Sequence, residues 1–177
     1  MGIFDFVKNA GAKIFGSEEE EVVEETAAEP EVNHLREKVL SEQKAERESQ
    51  KAMQLTNIVW DFDVNVENLE ITVLDDIATL QGTVESQSDL EKIVLLIGNT
   101  EGIAQVDAQM EVVTPEPEAT FYTVVKGDNL SKIAKAHYGK SSRYPEIFEA
   151  NKPMLSHPDK IYPGQVLRIP ADETLNA

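Results

Sequence analysis

Leu69-Glu-Ile-Thr-Val-Leu-Asp-Asp-Ile-Ala-Thr-Leu-Gln-Gly-Thr-Val84 holds two β-rich runs on either side of Asp75-Asp76. Leu69, Ile71 and Val73 alternate with Glu70, Thr72 and Leu74, and Ile77 to Val84 forms the second run, so the stretch predicts a hairpin. Ser88 and Glu91 then stand at capping-box spacing, and Leu90, Ile93, Val94 and Ile97 form the i, i+3, i+4, i+7 stripe of a helix ending at Gly98. Ala104, Val106, Ala108, Met110 and Val112 alternate with polar residues, the pattern of a half-buried strand. On the other side of the hairpin, residues from Asn33 to about Asn57 are good helix formers whose sparse apolar positions, among them Leu35, Val39, Leu40 and Leu55, predict a helix with a thin buried face. The unit reads α-β-β-α-β.

Thr114-Pro-Glu-Pro-Glu-Ala-Thr120 has two prolines and no apolar period, which predicts a semi-rigid linker at 114–120. Beyond it, Phe121 to Val125 reads as a strand. Gly127-Asp128 turns into a helix with Leu130, Ile133, Ala134 and His137 that ends at Gly139. A second helix is predicted from Tyr144 to Asn151 and a closing strand from Gln165 to Ile169. The second unit is β-α-α-β, and the expected fold class is α+β in two small domains, with 171–177 a tail. A chain of 177 residues suits two small domains.

At the start of the chain, Ile3, Phe4, Val7, Ala10, Ala12, Ile14 and Phe15 form an approximately helical apolar stripe interrupted at Gly11, so residues 1–16 are expected to dock on the protein's own core. Eight glutamates between Ser17 and Glu31 repel one another and have little to bury, which predicts a disordered linker within a 17–45 connection. The net charge of −17 is uneven. Residues 1–118 hold 8 Lys/Arg against 27 Asp/Glu, and residues 119–177 hold 8 against 6. Such a field repels nucleic acid and anionic lipid and concentrates cations around the first half. The absence of cysteine excludes disulfides and thiolate metal sites. No run of eighteen apolar residues suits a membrane span, and Met1 to Lys8 lacks the features of a signal peptide, so a soluble, cytoplasmic, monomeric protein is expected.

Little points to catalysis. His34, His137 and His157 have no zinc or nucleophile spacing, and His137 is expected to cap or pack. Asp61, Asp63, Asn65 and Glu67 resemble the start of a calcium loop, but Val66 stands where glycine is needed and Thr72 where a bidentate Glu is needed; a strand and turn is the better reading. The chain is expected not to be an enzyme. Gly98-Asn-Thr-Glu-Gly102 is an ordinary glycine helix cap on spacing alone, although two close glycines after a helix can also turn several carbonyls towards one point.

Residues 121–170, with Tyr122-Thr-Val, Lys126-Gly-Asp-Asn-Leu, Ala150-Asn-Lys-Pro and Ile161-Tyr-Pro-Gly-Gln-Val-Leu-Arg-Ile-Pro170, resemble the LysM family. Residues 46–113, with Gln81-Gly-Thr-Val84 and Gly98-Asn-Thr-Glu-Gly-Ile-Ala-Gln-Val106, resemble a BON domain. Together with Met1-Gly-Ile-Phe-Asp-Phe-Val-Lys-Asn-Ala-Gly11 and Phe148-Glu-Ala-Asn-Lys-Pro-Met-Leu155, the chain is similar to the bacterial cytoplasmic potassium-binding BON–LysM proteins, departing from them in the length and acidity of 17–45. The resemblance implies a potassium sensor or buffer of the stress-response kind. It further implies that K+ is held by the backbone carbonyls of Gly98, Thr100 and Gly102 with those of Val7, Ala10 and Ala12, and that binding compacts the domains. Neutral carbonyls suit a large, weakly hydrated ion better than calcium or magnesium. The LysM resemblance implies an alternative, a cell-envelope protein binding N-acetylglucosamine glycans. Its groove would use Gly127, Asp128, Asn129 and Leu130 with Asn151, Pro153, Met154 and Leu155, residues that serve equally to cap a helix and close the fold. Tyr138, Tyr144 and Tyr162 could equally face the first domain.

Overall fold

The computed structural model of the chain describes residues 2–6, 30–62 and 64–172. Its elements are β1 (Gly2–Asp5), α1 (Pro30–Asp61), β2 (Val66–Leu74), β3 (Ile77–Ser86), α2 (Gln87–Gly98), β4 (Gln105–Thr114), β5 (Thr120–Thr123), α3 (Leu130–Tyr138), a 3-10 turn (Ser141–Arg143), α4 (Tyr144–Ala150) and β6 (Val166–Ile169). The fold is α+β. The acidic stretch 17–29 and residues 7–15 of the apolar stripe lie outside the described residues.

The hairpin forms as its alternation requires. Val66, Ile71 and Val73 of β2 and Ala78, Leu80 and Val84 of β3 face one core, while Glu70, Thr72 and Gln81 face away from it. β4 pairs parallel with β3, with α2 as the crossover, and β1 pairs antiparallel with the outer edge of β4, giving the order β1-β4-β3-β2. Leu55 and Val59 of α1 and Ile93, Val94 and Ile97 of α2 close the core. The first turns of α1 expose Leu35, Val39 and Leu40, consistent with its thin apolar face.

Two local expectations need correction. Helix α2 is capped by Ser86, whose Oγ accepts from the Asp89 N–H at 3.1 Å; Ser88 is therefore inside the helix and Glu91 is free of any capping role. Residues 2–5 are strand, not helix. Gly2, Phe4 and Phe6 turn inward while Ile3 and Asp5 face out, because the free edge of β4 offers backbone partners that a helix would forgo.

In the second unit β5 and β6 form an antiparallel pair, with Val124, Leu130, Ile133, Ile147, Leu155, Leu167 and Ile169 in its core. Asn129 caps α3, its Oδ1 accepting from Lys132 N–H at 2.9 Å, and Gly139 ends that helix at φ 71°. Tyr138 faces this core and not the first unit. Its hydroxyl donates to the Pro170 carbonyl at 3.0 Å, Arg143 lies over its ring, and burial pushes its pKa up to about 12. His137 packs edge-on against Tyr122.

The units meet on the second face of α2, where Leu95 and Leu96 are buried although they lie off the helical stripe. Glu91, near the helix centre, accepts from Arg168 Nε on β6 at 2.5 Å, from Gln87 Nε2 at 3.1 Å and from the Ala119 N–H of the linker at 2.8 Å. Its side chain is 2% exposed and that of Arg168 is 11% exposed. A carboxylate so enclosed is tolerated because its oxygens are occupied by donors. Arg168→Met should strand it, costing about 3–5 kcal/mol in urea unfolding, and adding Glu91→Leu should restore much of that loss. A loss of under about 1 kcal/mol in the single variant would show that water reaches the pair.

Candidate functional site

The last turn of α2 and the loop after it, Gly98 to Gly102, form the junction of three parts of the molecule. A helix end leaves carbonyls without intrahelical donors and carries partial negative charge. Three of the four here are taken. The Leu95 carbonyl accepts from Asn99 N–H and Nδ2, both at 3.0 Å, that of Leu96 from Thr100 Oγ1 at 2.9 Å, and that of Ile97 from Thr100 N–H at 3.0 Å. No donor among the described residues reaches the carbonyls of Gly98 or Gly102, and that of Thr100 takes one, from Ile103 N–H at 3.2 Å. Gly102 holds φ +82°, a left-handed turn that glycine adopts without strain. The loop thus offers neutral oxygens with lone pairs to spare at the negative end of a helix, a donor set that fits K+.

The N-terminal strand ends on this loop. Phe6 donates its N–H to the Ala104 carbonyl at 2.7 Å, and its ring lies so close over Gly98 that a Cβ there would collide with it. Gly98 is needed because the aromatic ring occupies the side-chain space. Phe4 packs against Phe121 of β5 with the rings tilted at 50° and centroids 5.0 Å apart, so the same short strand touches both units. Val7, Ala10 and Ala12 lie outside the described residues.

Asn99 joins the loop to the second unit. Its Nδ2 donates to the Val166 carbonyl at 3.0 Å and lies 3.3 Å from Met154 Sδ, while its Oδ1 accepts from Val166 N–H at 2.9 Å. One buried amide thereby satisfies both backbone groups of a β6 residue. Lys51 of α1 also reaches the loop, donating its Nζ to the Glu101 carbonyl at 2.6 Å. Neither Asn99 nor Lys51 was apparent from spacing, because each partner lies at least fifty positions away in the chain. Five consecutive apolar residues, Ile93 to Ile97, were the available signal that α2 is covered on two sides.

Most groove residues have structural work. Asp128 Oδ2 accepts from Tyr122 Oη at 2.8 Å and Val125 N–H at 3.0 Å, and Leu130 and Leu155 are core. Asn151 donates Nδ2 to the Ile147 and Arg168 carbonyls and accepts from Arg168 N–H, at 2.6–2.8 Å. Pro153 and Met154 line a cleft of about 120 Å3 shared with Leu95 and Leu96 of the first unit, and Gly127 is exposed. Tyr144 and Tyr162 are partly exposed on the second unit. At the calcium-like turn, Asp61 ends α1, Asn65 and Glu67 are exposed, and Asp63 lies outside the described residues. Among the described residues no three histidines or carboxylates gather as a metal cluster, and no helix is long and apolar enough to cross a membrane.

Comparison with known proteins agrees with this organisation. The BON domain family matches residues 46–114 and the LysM domain family residues 122–170. An uncharacterised protein of Deinococcus radiodurans is 37% identical over 102 residues, spanning 51% of this chain and 40% of its own. The potassium binding protein Kbp of Escherichia coli O6:H1 is 40% identical over 172 residues, covering 97% of this chain and all of that protein. With that identity over the relative's full length, the chain belongs to the BON–LysM family that includes the Escherichia coli potassium binding protein.

Proposed function

We propose that this protein is a non-catalytic, cytoplasmic potassium-ion binder, a monomeric sensor or buffer. The carbonyls of Gly98, Thr100 and Gly102, together with those of Val7, Ala10 and Ala12 from the N-terminal segment, would hold the ion. The observation that carries this reading is the seating of Phe6 on Gly98, which brings the chain to the loop one residue before Val7. Three carbonyls from one loop are too few to replace the ion's hydration shell, so a second segment arriving there supplies what the loop lacks. The name of the Escherichia coli relative supports the choice of ion.

Binding at this loop would favour the compact arrangement of the domains. Asn99 sits between two proposed ligand carbonyls and grips Val166, so an ion that orders the loop also orders that grip, and the coupling acts equally in reverse. The glycan-binding alternative has the LysM domain in its favour. Against it, Pro153 and Met154 face a narrow cleft against the BON domain, and a glycan chain lying there would have to part the domains.

At equal ionic strength the protein should melt higher in potassium than in sodium, since a ligand of the folded state alone shifts the equilibrium. At a free concentration a hundred times Kd the gain is about 2.7 kcal/mol. Equal melting curves in saturating amounts of both salts would dismiss the potassium reading. Gly98→Ala should push Phe6 off the loop and weaken potassium binding at least about tenfold, or ~1.4 kcal/mol, by calorimetric titration. Undiminished affinity in the folded variant would remove the N-terminal segment from the site. Small-angle scattering should show the radius of gyration falling when potassium is added to the wild type, a response that Asn99→Ala should lack.

A further inference from the structure

Among the described residues, the ammonium of one lysine lies on the candidate loop. Lys51 projects from α1 and donates to the Glu101 carbonyl at 2.6 Å, the oxygen between those of Thr100 and Gly102 in the chain. Its Nζ lies 3.7 Å from the point a Gly102 Cβ would occupy, so the charge sits beside the loop backbone. No carboxylate among the described residues pairs with it, in a chain whose first 118 residues carry 27 Asp/Glu against 8 Lys/Arg. Where acidic partners are so numerous, a partly buried lysine committed to a backbone carbonyl has been placed against a local need.

We propose that Lys51 sets the affinity and charge selectivity of the cation site by acting as a tethered competitor at the loop. The inference rests on the potassium reading above. An ammonium is a compact single charge that binds carbonyl oxygens, and its flexible stem lets it move. A cation entering on the neighbouring carbonyls either displaces it towards solvent or binds against its repulsion. Both cases weaken binding, and the repulsion scales with the charge of the entering ion. A divalent ion therefore suffers twice the electrostatic penalty of K+. This matters because the acidic field of the BON half concentrates divalent ions more strongly than monovalent ones. Neutral carbonyls prefer potassium by size and hydration, and Lys51 adds discrimination by charge.

The test titrates wild type, Lys51→Met and Lys51→Gln with potassium chloride and with calcium chloride, in a choline buffer of constant ionic strength. Methionine keeps an unbranched apolar stem without the charge, and glutamine retains a donor. Both variants should bind potassium about tenfold more tightly and calcium about a hundredfold more tightly, the doubled logarithm following from the doubled ionic charge. Melting curves give a second readout. In choline alone Lys51→Met should melt below wild type, because the Glu101 carbonyl loses its donor, and in saturating potassium it should melt at or above wild type. Unchanged or weaker binding, or melting lowered equally in both salts, would reduce Lys51 to a prop for the loop and overturn the inference while leaving the potassium site standing. Wild type that binds no potassium overturns both.

Discussion

A buried strand at the edge of a two-stranded sheet must find partners for backbone groups that no third strand supplies. All four residues of β6 are buried, β5 serves one edge, and the other faces the protein interior. Two asparagines serve that edge. Asn151 pairs with both backbone groups of Arg168 from within the LysM domain, and Asn99 does the same for Val166 from the BON domain. Leaving such groups unpaired costs on the order of 1–3 kcal/mol each, so the LysM sheet depends on a neighbouring domain for part of its own satisfaction. The interface is thereby fixed in register. An amide that replaces a strand residue tolerates little sliding, and Glu91 with Arg168 anchors a second point along the same strand.

From that constraint the placing of the rest follows. For Asn99 to reach β6, the C-terminus of α2 must lie at the domain boundary, and the outer face of the helix must be apolar enough to be covered there, as Leu95 and Leu96 are. The helix end then faces the β1 side of the sheet, where Phe6 fills the space over Gly98. Phe4 on Phe121 ties the same strand to the LysM domain. Strand, loop and second domain thus converge on five residues, Gly98 to Gly102.

Local order was legible where local pattern determined it. The hairpin, the apolar stripe of α2, the alternation of β4 and the glycine ending α3 are all set by periodicities of two or 3.6 and by turn chemistry, and the chain carries these without ambiguity. The failures share one cause. Ile3-Phe4 fits either period, and the free edge of β4, more than a hundred residues away, decides for strand. Ser86 outcompeted Ser88 as cap because both precede the same apolar run and only the path of β3 selects between them. Gly98 and Gly102 stand out by their close pairing and by resemblance, whereas no local pattern marks Asn99 between them. Its role exists only once β6 is beside it, and nothing within ten residues of Asn99 indicates Val166. Lys51 is obscured in the same way, one charge among many on a helix whose register against the loop is a tertiary fact.

The two ligand classes proposed for this chain would not bind independently of one another. Met154 belongs to the loop after α4 that LysM groove binding would use, and its sulfur lies 3.3 Å from the amide of Asn99, which stands between two carbonyls of the candidate ion loop. A glycan that drew residues 151–155 away from the BON domain would break Asn99 from Val166 and loosen the loop an ion needs. An ion that tightened the loop would hold the groove shut. Linkage would make the antagonism symmetric: whatever factor the ion imposed on glycan affinity, the glycan would impose on the ion. A short buried amide would be enough to carry it, because an ion that held Asn99 on β6 and a glycan that drew β6 away would favour opposite arrangements of the same contact.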